Sequence, residues 1–146
     1  MPRIEREAHV VWEGNVARGT GTISAGTGAF EALPYSLPTR IGAAEGKTSP
    51  EELLAAAHGG CLTMSLATEL SQAGTPPTRL TSSCLVVMDE VEGEGHQIVA
   101  SHVRIHTVVD GADAALLEAA LERADAGCPF SILLREAGVE VDVGLA

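Results

Sequence analysis

SPEELLAAAHGGCLTMSLA, residues 49–67, has the signals of a helix start followed by a long apolar pattern. Ser49 fits the N-cap, Pro50 the first helical position and Glu52 the end of a capping box. Apolar residues then recur at helical spacing until Gly-Thr-Pro-Pro at residues 74–77. The stretch predicts one long helix with an apolar face.

Two glycines interrupt this helix immediately before a cysteine. A glycine inside a helix costs about 0.5–1 kcal/mol relative to alanine, so Gly59 and Gly60 predict a close approach beside Cys61. Two interpretations stay open at this point. The approach is either tight packing alone or room for another helix, a partner backbone or the alkyl chain of a ligand.

The rest of the chain predicts an α+β fold of antiparallel strands and two main helices. Arg40 lies in a predicted loop that has two prolines, two glycines and little periodicity. The other predicted elements are strands over residues 9–14, 19–25, 28–33, 80–89, 99–109 and 139–145, a helix over 112–126 and a short helix over 131–138.

Length and charge narrow the class of protein. A chain of 146 residues with 45% hydrophobic content predicts one domain over residues 1–146. The net charge of −11, without a basic stripe, argues against nucleic acid and anionic membranes as partners. No segment approaches the ~18 apolar residues of a membrane span, and the N-terminus lacks a secretory signal, so we expect a soluble cytoplasmic protein.

Three cysteines are too few for a disulfide scaffold, so each needs a packing role or a chemical one. Cys61 lies on the apolar face of the long helix. Cys128 lies at the predicted N-terminus of the short helix, where free N–H groups and the dipole favour a thiolate. We expect Cys84, in an apolar strand, to pack in the core, and His58 to be packed or bonded to a partner.

The motifs around the two helical cysteines resemble the OsmC/Ohr family of thiol peroxidases. KTSPEELLAAAHGGCLTMSLA, upstream PYSLPTR and downstream AGCPFS carry the resemblance, which covers nearly the whole chain. The Pro-Tyr and Thr-Arg pairs and the histidine three residues before the cysteine are similar to the OsmC branch. The resemblance implies an OsmC/Ohr-like fold and an intertwined homodimer with its sites at the subunit interface.

The resemblance also implies roles for four residues. Cys61 matches the peroxidatic cysteine and Cys128 the resolving one, while Arg40 matches the arginine that activates the thiolate and Glu51 the glutamate that holds it. The implied reaction reduces organic hydroperoxides to alcohols, and hydrogen peroxide more weakly, through a Cys61–Cys128 disulfide. It needs no metal or other cofactor, and a dithiol reductant, a lipoylated protein or a thioredoxin-like one, completes the cycle.

Two physical rules bear on these implied roles. In a continuous helix, Glu51 lies roughly 15 Å along the axis from Cys61. Either Arg40 bridges this gap or the pairing of Glu51 and Arg40 crosses the dimer interface, and we favour the second hypothesis. The helix dipole favours Cys128 as the thiolate, whereas the resemblance makes Cys61 the attacker. The full charge of Arg40 would outweigh the half charge of a short helix.

Other functions stay open from the sequence. A thiol hydrolase or transferase that uses Cys61 and His58 would not need Cys128. An OsmC-like binder of hydrophobic ligands would show no peroxide turnover. A zinc site built from Cys61, Cys128 and a histidine is disfavoured, because the spacing matches no compact ligand pattern.

Overall fold

The computed structural model describes residues 2–146 as an α+β chain, as predicted. Contacts divide it into two units, one that ends at Pro50 and one that covers Glu51–Ala146. The prediction of a single domain stays a prediction. The elements are β1 (Ala8–Glu13), β2 (Thr20–Ala25), β3 (Leu33–Tyr35), α1 (Leu37–Ile41), α2 (Pro50–Gln72), β4 (Arg79–Val91), β5 (Gly95–Val108), α3 (Ala114–Gly127), α4 (Pro129–Glu136) and β6 (Glu140–Leu145).

The first unit contains an antiparallel sheet in the order β1-β2-β3. Gly21 of β2 is paired with Trp12 on one side and Tyr35 on the other. A Cβ atom at Gly21 would overlap both rings, and its absence lets their centroids lie 5.5 Å apart. All six residues of β1 are exposed.

The third strand lies later in the chain than the sequence predicted. Residues 29–32 form bends and irregular chain rather than a strand, and β3 begins only at Leu33. Gly28 has φ 79° and Ala32 has φ 53°, so the backbone turns left-handed at both ends of this segment. Such a path cannot remain extended.

The predicted loop over residues 37–50 contains a short helix, α1, which carries Arg40. The hydroxyl of Ser36 accepts a hydrogen bond from the Thr39 amide at 3.3 Å, and a proline occupies the first turn. These are the features of a helix N-terminus. The loop prediction was therefore wrong for Leu37–Ile41, because its cap lies just before the segment.

The second unit begins with α2, which is continuous through its two glycines and confirms the predicted long helix. β4 and β5 form the predicted antiparallel hairpin, which pairs as far as Val91 with Gly95. β6, however, is parallel to β5, so the expectation of antiparallel strands fails there. The α3 and α4 segment supplies the long crossover that a parallel pair requires.

The core of the second unit lies between α2, α3 and the buried face of β5. β5 alternates between buried residues at Ser101, Val103 and Ile105 and more exposed ones between them, as the sequence predicted. The buried cluster consists of Leu62, Leu66, Leu70, Val103, Ile105, Ala120, Leu121, Ala124 and Cys128. Cys61 and Cys84 pack against this cluster from its edge.

Candidate active site

The fold of the second unit brings Cys61 and Cys128 together. Cys61 lies in the middle of α2, and Cys128 lies between α3 and α4. Both are free thiols. Cys61 packs against the buried cluster that contains Cys128, and the Cys128 thiol is close enough to raise the pKa of Cys61. Two residues 67 positions apart therefore form a pair that local spacing could not have shown.

The backbone fixes Cys128 from both sides. Its amide donates to the Asp125 carbonyl at 3.2 Å and ends α3, while its carbonyl accepts from the Ile132 amide at 3.0 Å and begins α4. Pro129 follows at the first helical position, where a missing N–H has no cost. Cys128 thus serves as the cap residue of two helices, and the position of its thiol depends on how α3 and α4 are held.

Opposing influences act on the Cys61 thiol. Burial raises the pKa of Cys61 most, and the neighbouring Cys128 thiol raises it further. Hydrogen bonds from the Ser65 hydroxyl and the Phe130 amide lower this pKa, but they do not outweigh burial. Within these contacts, Cys61 is a protonated thiol at neutral pH.

The start of α4 acts on a different cysteine from the one predicted. The side chain of Cys128 makes no capping hydrogen bond to its own helix. The Phe130 amide, which belongs to the first turn of α4, donates instead to the sulfur of Cys61. The free N–H groups of a helix N-terminus stabilise anions, so α4 favours a thiolate at Cys61.

Exposure separates the two thiols. Cys128 is 0% exposed, whereas Cys61 is only partly buried. Cys61 is therefore the more solvent-accessible residue of the pair, and Cys128 is shielded from solvent.

Arg40 and Glu51 occupy well-defined places in their own elements. Glu51 lies in the first turn of α2, and because that helix is unbroken it stands roughly 15 Å along the axis from Cys61. Arg40 is an exposed residue of α1. It lines an apolar cavity of about 290 Å³ in the first unit, together with Trp12, Tyr35 and Leu37.

His58 is a buried histidine with two hydroxyl partners, as the sequence predicted. Its Nδ1 lies 2.6 Å from Ser101 Oγ of β5, and its Nε2 lies 2.8 Å from Ser131 Oγ of α4. Burial is the main cause that lowers the pKa of His58; the Arg135 charge lowers it too, and Asp125 opposes both. The imidazole is therefore neutral at pH 7.

Cys84 lies on β4 beside this histidine. Its Sγ is 3.4 Å from Ser101 Oγ and 4.0 Å from His58 Nδ1. The predicted packing role is confirmed, because Cys84 packs against the core cluster.

The structure answers the question raised by the glycine pair in two parts. A Cβ atom at Gly59 would lie 3.1 Å from the Cβ of Cys84, so the missing side chain allows β4 to pack tightly on α2. At Gly60 an added Cβ would meet nothing within 4 Å. Gly60 instead lines an open cavity of about 370 Å³ beside Ala56 and Cys84.

Comparison with known proteins gives the chain its family. The family model described as "OsmC-like protein" matches residues 42–144. The chain belongs to the OsmC family. Over 132 residues, 90% of this chain and 91% of the relative, it is 36% identical to peroxiredoxin OsmC of Escherichia coli K12. The chain is thus a thiol-dependent peroxidase of the OsmC family.

Solved structures confirm the OsmC/Ohr-like fold. The organic hydroperoxide resistance protein OhrB of Bacillus subtilis superposes with a TM-score of 0.74 at 23% identity, over 96% of this chain and 98% of that one. An organic hydroperoxide resistance protein OsmC from Legionella pneumophila gives 0.74 at 19% identity over 99% of both chains.

Three hydroxyl residues of this OsmC chain were missed by the sequence analysis: Ser65, Ser101 and Ser131. One signal could have revealed Ser101, since it lies on the strand face that also carries Val103 and Ile105. A polar side chain on an apolar face requires a buried partner. No comparable signal exists for Ser65 or Ser131.

Residues 2–146 lack two kinds of structural feature. No group of three or more His, Cys, Asp and Glu side chains is arranged to hold a metal ion within that range. Nor does the described part of the chain contain a helix long and apolar enough to cross a membrane.

Proposed function

We propose that this chain reduces organic hydroperoxides to alcohols, with Cys61 as the peroxidatic thiol and Cys128 as the resolving thiol. The observation that carries the proposal is the contact between two free thiols of unequal exposure, in a chain of the OsmC family. In this proposal the more exposed thiol, Cys61, reacts with the peroxide, and the buried thiol of Cys128 lies beside it.

The first step is a displacement at oxygen. The thiolate of Cys61 attacks the distal oxygen of the hydroperoxide, an S–O bond forms, and the O–O bond breaks. The leaving alkoxide takes a proton and departs as the alcohol. Cys61 is oxidised to sulfenic acid, and the Phe130 amide and Ser65 hydroxyl stabilise the anionic sulfur before the attack.

The second step closes a disulfide. The sulfur of Cys128 attacks the sulfenic sulfur of Cys61, an S–S bond forms, and the hydroxyl leaves as water with the Cys128 proton. The sum is one hydroperoxide and two thiols converted to one alcohol, one water and one disulfide. An external dithiol, on a lipoylated protein or a thioredoxin-like one, then reduces this disulfide by exchange.

Arg40 and Glu51 complete the proposed site. Burial and Cys128 raise the pKa of Cys61, so a cation is needed to produce the thiolate at neutral pH. We assign that role to Arg40 and assign Glu51 to its orientation. The same guanidinium would stabilise the negative charge that develops on the departing oxygen.

We further propose that the working form is a homodimer in which Arg40 and Glu51 pair across the interface. The support is the exposed apolar surface of β1, where Val10 is 58% and Val11 54% exposed. An exposed strand with such side chains is a surface that another chain covers.

The geometry gives no support to hydrolysis by a Cys61–His58 pair. Both ring nitrogens of His58 are bonded to serine hydroxyls, so neither is available as a base for Cys61. A binder of hydrophobic ligands would have no need for two thiols in contact. Binding of hydrophobic ligands becomes the leading alternative if the following experiment shows no reaction with the peroxide.

The test is peptide mapping by mass spectrometry after one equivalent of cumene hydroperoxide. We expect a Cys61–Cys128 disulfide within seconds and one equivalent of cumyl alcohol. The matched control, Cys84→Ser, should give the same disulfide. If Cys61 and Cys128 both stay reduced at that dose, the proposed function is wrong.

A further inference from the structure

We propose that His58 is a positioning residue for disulfide formation: through Ser131 it holds α4, and with it Cys128, in place against Cys61. The inference rests on the proposed function, because it concerns the second chemical step. His58 touches neither peroxide nor the reacting sulfurs in this account. It acts by fixing the element that carries the resolving thiol.

The first support is that two side-chain contacts join the same two segments, α2 and the start of α4. Cys61 of α2 contacts Cys128 at the start of α4. His58, three residues before Cys61 on the same helix, bonds to Ser131, three residues after Cys128, at 2.8 Å. Because i and i+3 positions are neighbours on a helix, the hydrogen bond lies about one turn away from the thiol pair.

The second support is the burial of the link. His58, Ser131 and Ser101 are each 0% exposed, so no solvent hydroxyl can replace a lost partner at low cost. Ser101 of β5 holds the other ring nitrogen at 2.6 Å. The imidazole is thereby oriented by the sheet and presents Nε2 to α4.

The third support is the kind of contact that holds α4 elsewhere. Leu134 is buried and Phe130 packs against the core cluster, and such apolar contacts are non-directional, whereas a hydrogen bond fixes a direction. The helix has eight residues, and Ile132 and Leu133 on it are 41% and 61% exposed. Besides the Ser131 link, an ion pair from Arg135 to Asp125 of α3 ties its last turn. Removal of the His58 link therefore loosens the first turn, which carries the resolving cysteine.

Disulfide formation is sensitive to such loosening. The bond requires Cβ atoms about 3.5–4.5 Å apart and a narrow range of dihedral angles, and a misplacement of about 1 Å can cost roughly 100-fold in rate. While resolution is delayed, the sulfenic acid of Cys61 remains exposed to a second peroxide. That reaction gives the irreversible sulfinic acid.

The test compares Ser131→Ala with Ser101→Ala in the full chain. Each substitution removes one fully buried hydroxyl and leaves one imidazole nitrogen without its partner, so a merely structural role predicts equal effects. Rapid quenching and mass spectrometry measure Cys61 sulfenic acid, the Cys61–Cys128 disulfide and Cys61 sulfinic acid, after one and after ten equivalents of cumene hydroperoxide.

We expect both variants to form sulfenic acid at the rate of the unaltered protein. Ser131→Ala should form the disulfide about tenfold more slowly and accumulate sulfinic acid at ten equivalents. Ser101→Ala keeps the hydrogen bond between Nε2 and Ser131 and loses only an orienting contact of the ring, so it should slow resolution clearly less. Equal slowing of resolution in the two variants would overturn the proposal. If the unaltered protein forms no disulfide at all, the proposed function fails instead.

A second pair of variants keeps the inference testable if either serine variant does not fold. The side-chain amide of glutamine reaches the position of Nε2, and that of asparagine the position of Nδ1. His58→Gln should therefore retain the link to Ser131 and resolve faster than His58→Asn. Equal resolution rates, or a faster His58→Asn, would contradict the positioning role.

Discussion

The thiols of this chain lie in two different settings beside α2. Cys61 meets a second thiol, Cys128, with which it can form a covalent bond. Cys84 meets the imidazole of His58, but that ring is already bonded to two serines. In the first setting the neighbour can react, while in the second the neighbour only packs.

The difference shows that the chemistry of a cysteine depends on whether the neighbouring group is still available to react with it. A thiol near a histidine is a common nucleophile arrangement, and Cys84 has such a neighbour at 4.0 Å. The nitrogen facing it, however, has its hydrogen bond at 2.6 Å to Ser101. Cys61 has no imidazole among the groups that set its pKa, yet it has the partner that can complete a redox cycle.

The largest expected effect is the loss of peroxide turnover when a thiol of the first setting, Cys61 or Cys128, is replaced. Cys61→Ser should lower turnover of cumene hydroperoxide by roughly 1000-fold or more, because the nucleophile is lost. Cys128→Ser should reduce one equivalent of cumene hydroperoxide when no thiol is added and should form no intramolecular disulfide, because the sulfenic acid of Cys61 lacks its resolving partner. Turnover with dithiothreitol measures the first variant, and a single-turnover assay without added thiol measures the second.

Cys84→Ser is the matched control for those two variants. It should retain turnover within about twofold, because the thiol at this position packs and does not react. A Cys84→Ser variant as inactive as Cys61→Ser would remove the distinction between the two settings.

The first setting was largely predictable from sequence, and the second was not. The predicted cap at Ser49 and the proline at residue 50 located the start of α2, because helix starts depend on adjacent residues. The pairing of Cys61 with Cys128 was implied by family resemblance. The partners of His58 are 43 and 73 residues away, and no local rule connects residues at such separations.

Local rules also failed where a short element depended on distant pairing. β3 has three residues and is defined by its partner β2, so its position could not be read from composition. The parallel pairing of β6 follows from the path of the crossover. The direction of a last strand is a property of topology and not of its own alternating sequence.

A second prediction concerns the charge at Cys61. If Arg40 supplies the cation, Arg40→Ala should slow alkylation of Cys61 by iodoacetamide at pH 7 by about tenfold or more. The sign follows from burial and Cys128, which raise the pKa of Cys61, so the reactive thiolate then forms only at higher pH. Peptide-resolved alkylation from pH 6 to 10 gives the profile.

The controls for Arg40→Ala are a second arginine, Arg6, and a second thiol, Cys84. Arg6→Ala changes the net charge equally, and its alkylation profile for Cys61 should match that of the unaltered protein. Cys84 alkylation in the same samples should not change with Arg40. An unchanged Cys61 profile in Arg40→Ala would contradict the assigned activating role.

A third prediction tests the packing of Cys84 on α2 with substitutions at the adjacent glycines, Gly59 and Gly60. Gly60→Ala should stabilise the fold by about 0.5–1 kcal/mol through helix propensity, since an added Cβ meets nothing within 4 Å. Gly59→Ala places its Cβ 3.1 Å from Cys84 Cβ, and overpacking of about 1–3 kcal/mol offsets that gain. Urea unfolding should rank Gly60→Ala above Gly59→Ala.

The two glycine variants serve as controls for each other, because they make the same chemical change one position apart in one helix. Equal free energies of unfolding would show that β4 does not pack tightly at Gly59.

The smallest effect expected is a pH dependence of stability that comes from the buried imidazole. Burial lowers the pKa of His58 in the folded chain below the ordinary value of 6.5. Above pH 6.5 the imidazole is neutral in both the folded and the unfolded chain and contributes no slope. Below it the unfolded chain takes up the proton first, so the free energy of unfolding falls as pH falls toward the folded-state pKa.

His58→Gln removes this proton-binding group while keeping a polar side chain that can reach Ser131. The difference in the free energy of unfolding between the two proteins should therefore be constant above pH 6.5 and should shift in favour of His58→Gln below it. Exposed carboxylates such as Asp142, whose pKa is lowered by hydrogen bonds from Arg104 and His102, contribute equally to both proteins and cancel in the difference. A constant difference down to pH 5 would mean that His58 takes up a proton as readily in the folded chain as in the unfolded chain. The neutral imidazole with two serine partners, on which the contrast between Cys84 and Cys61 depends, would then have to be abandoned.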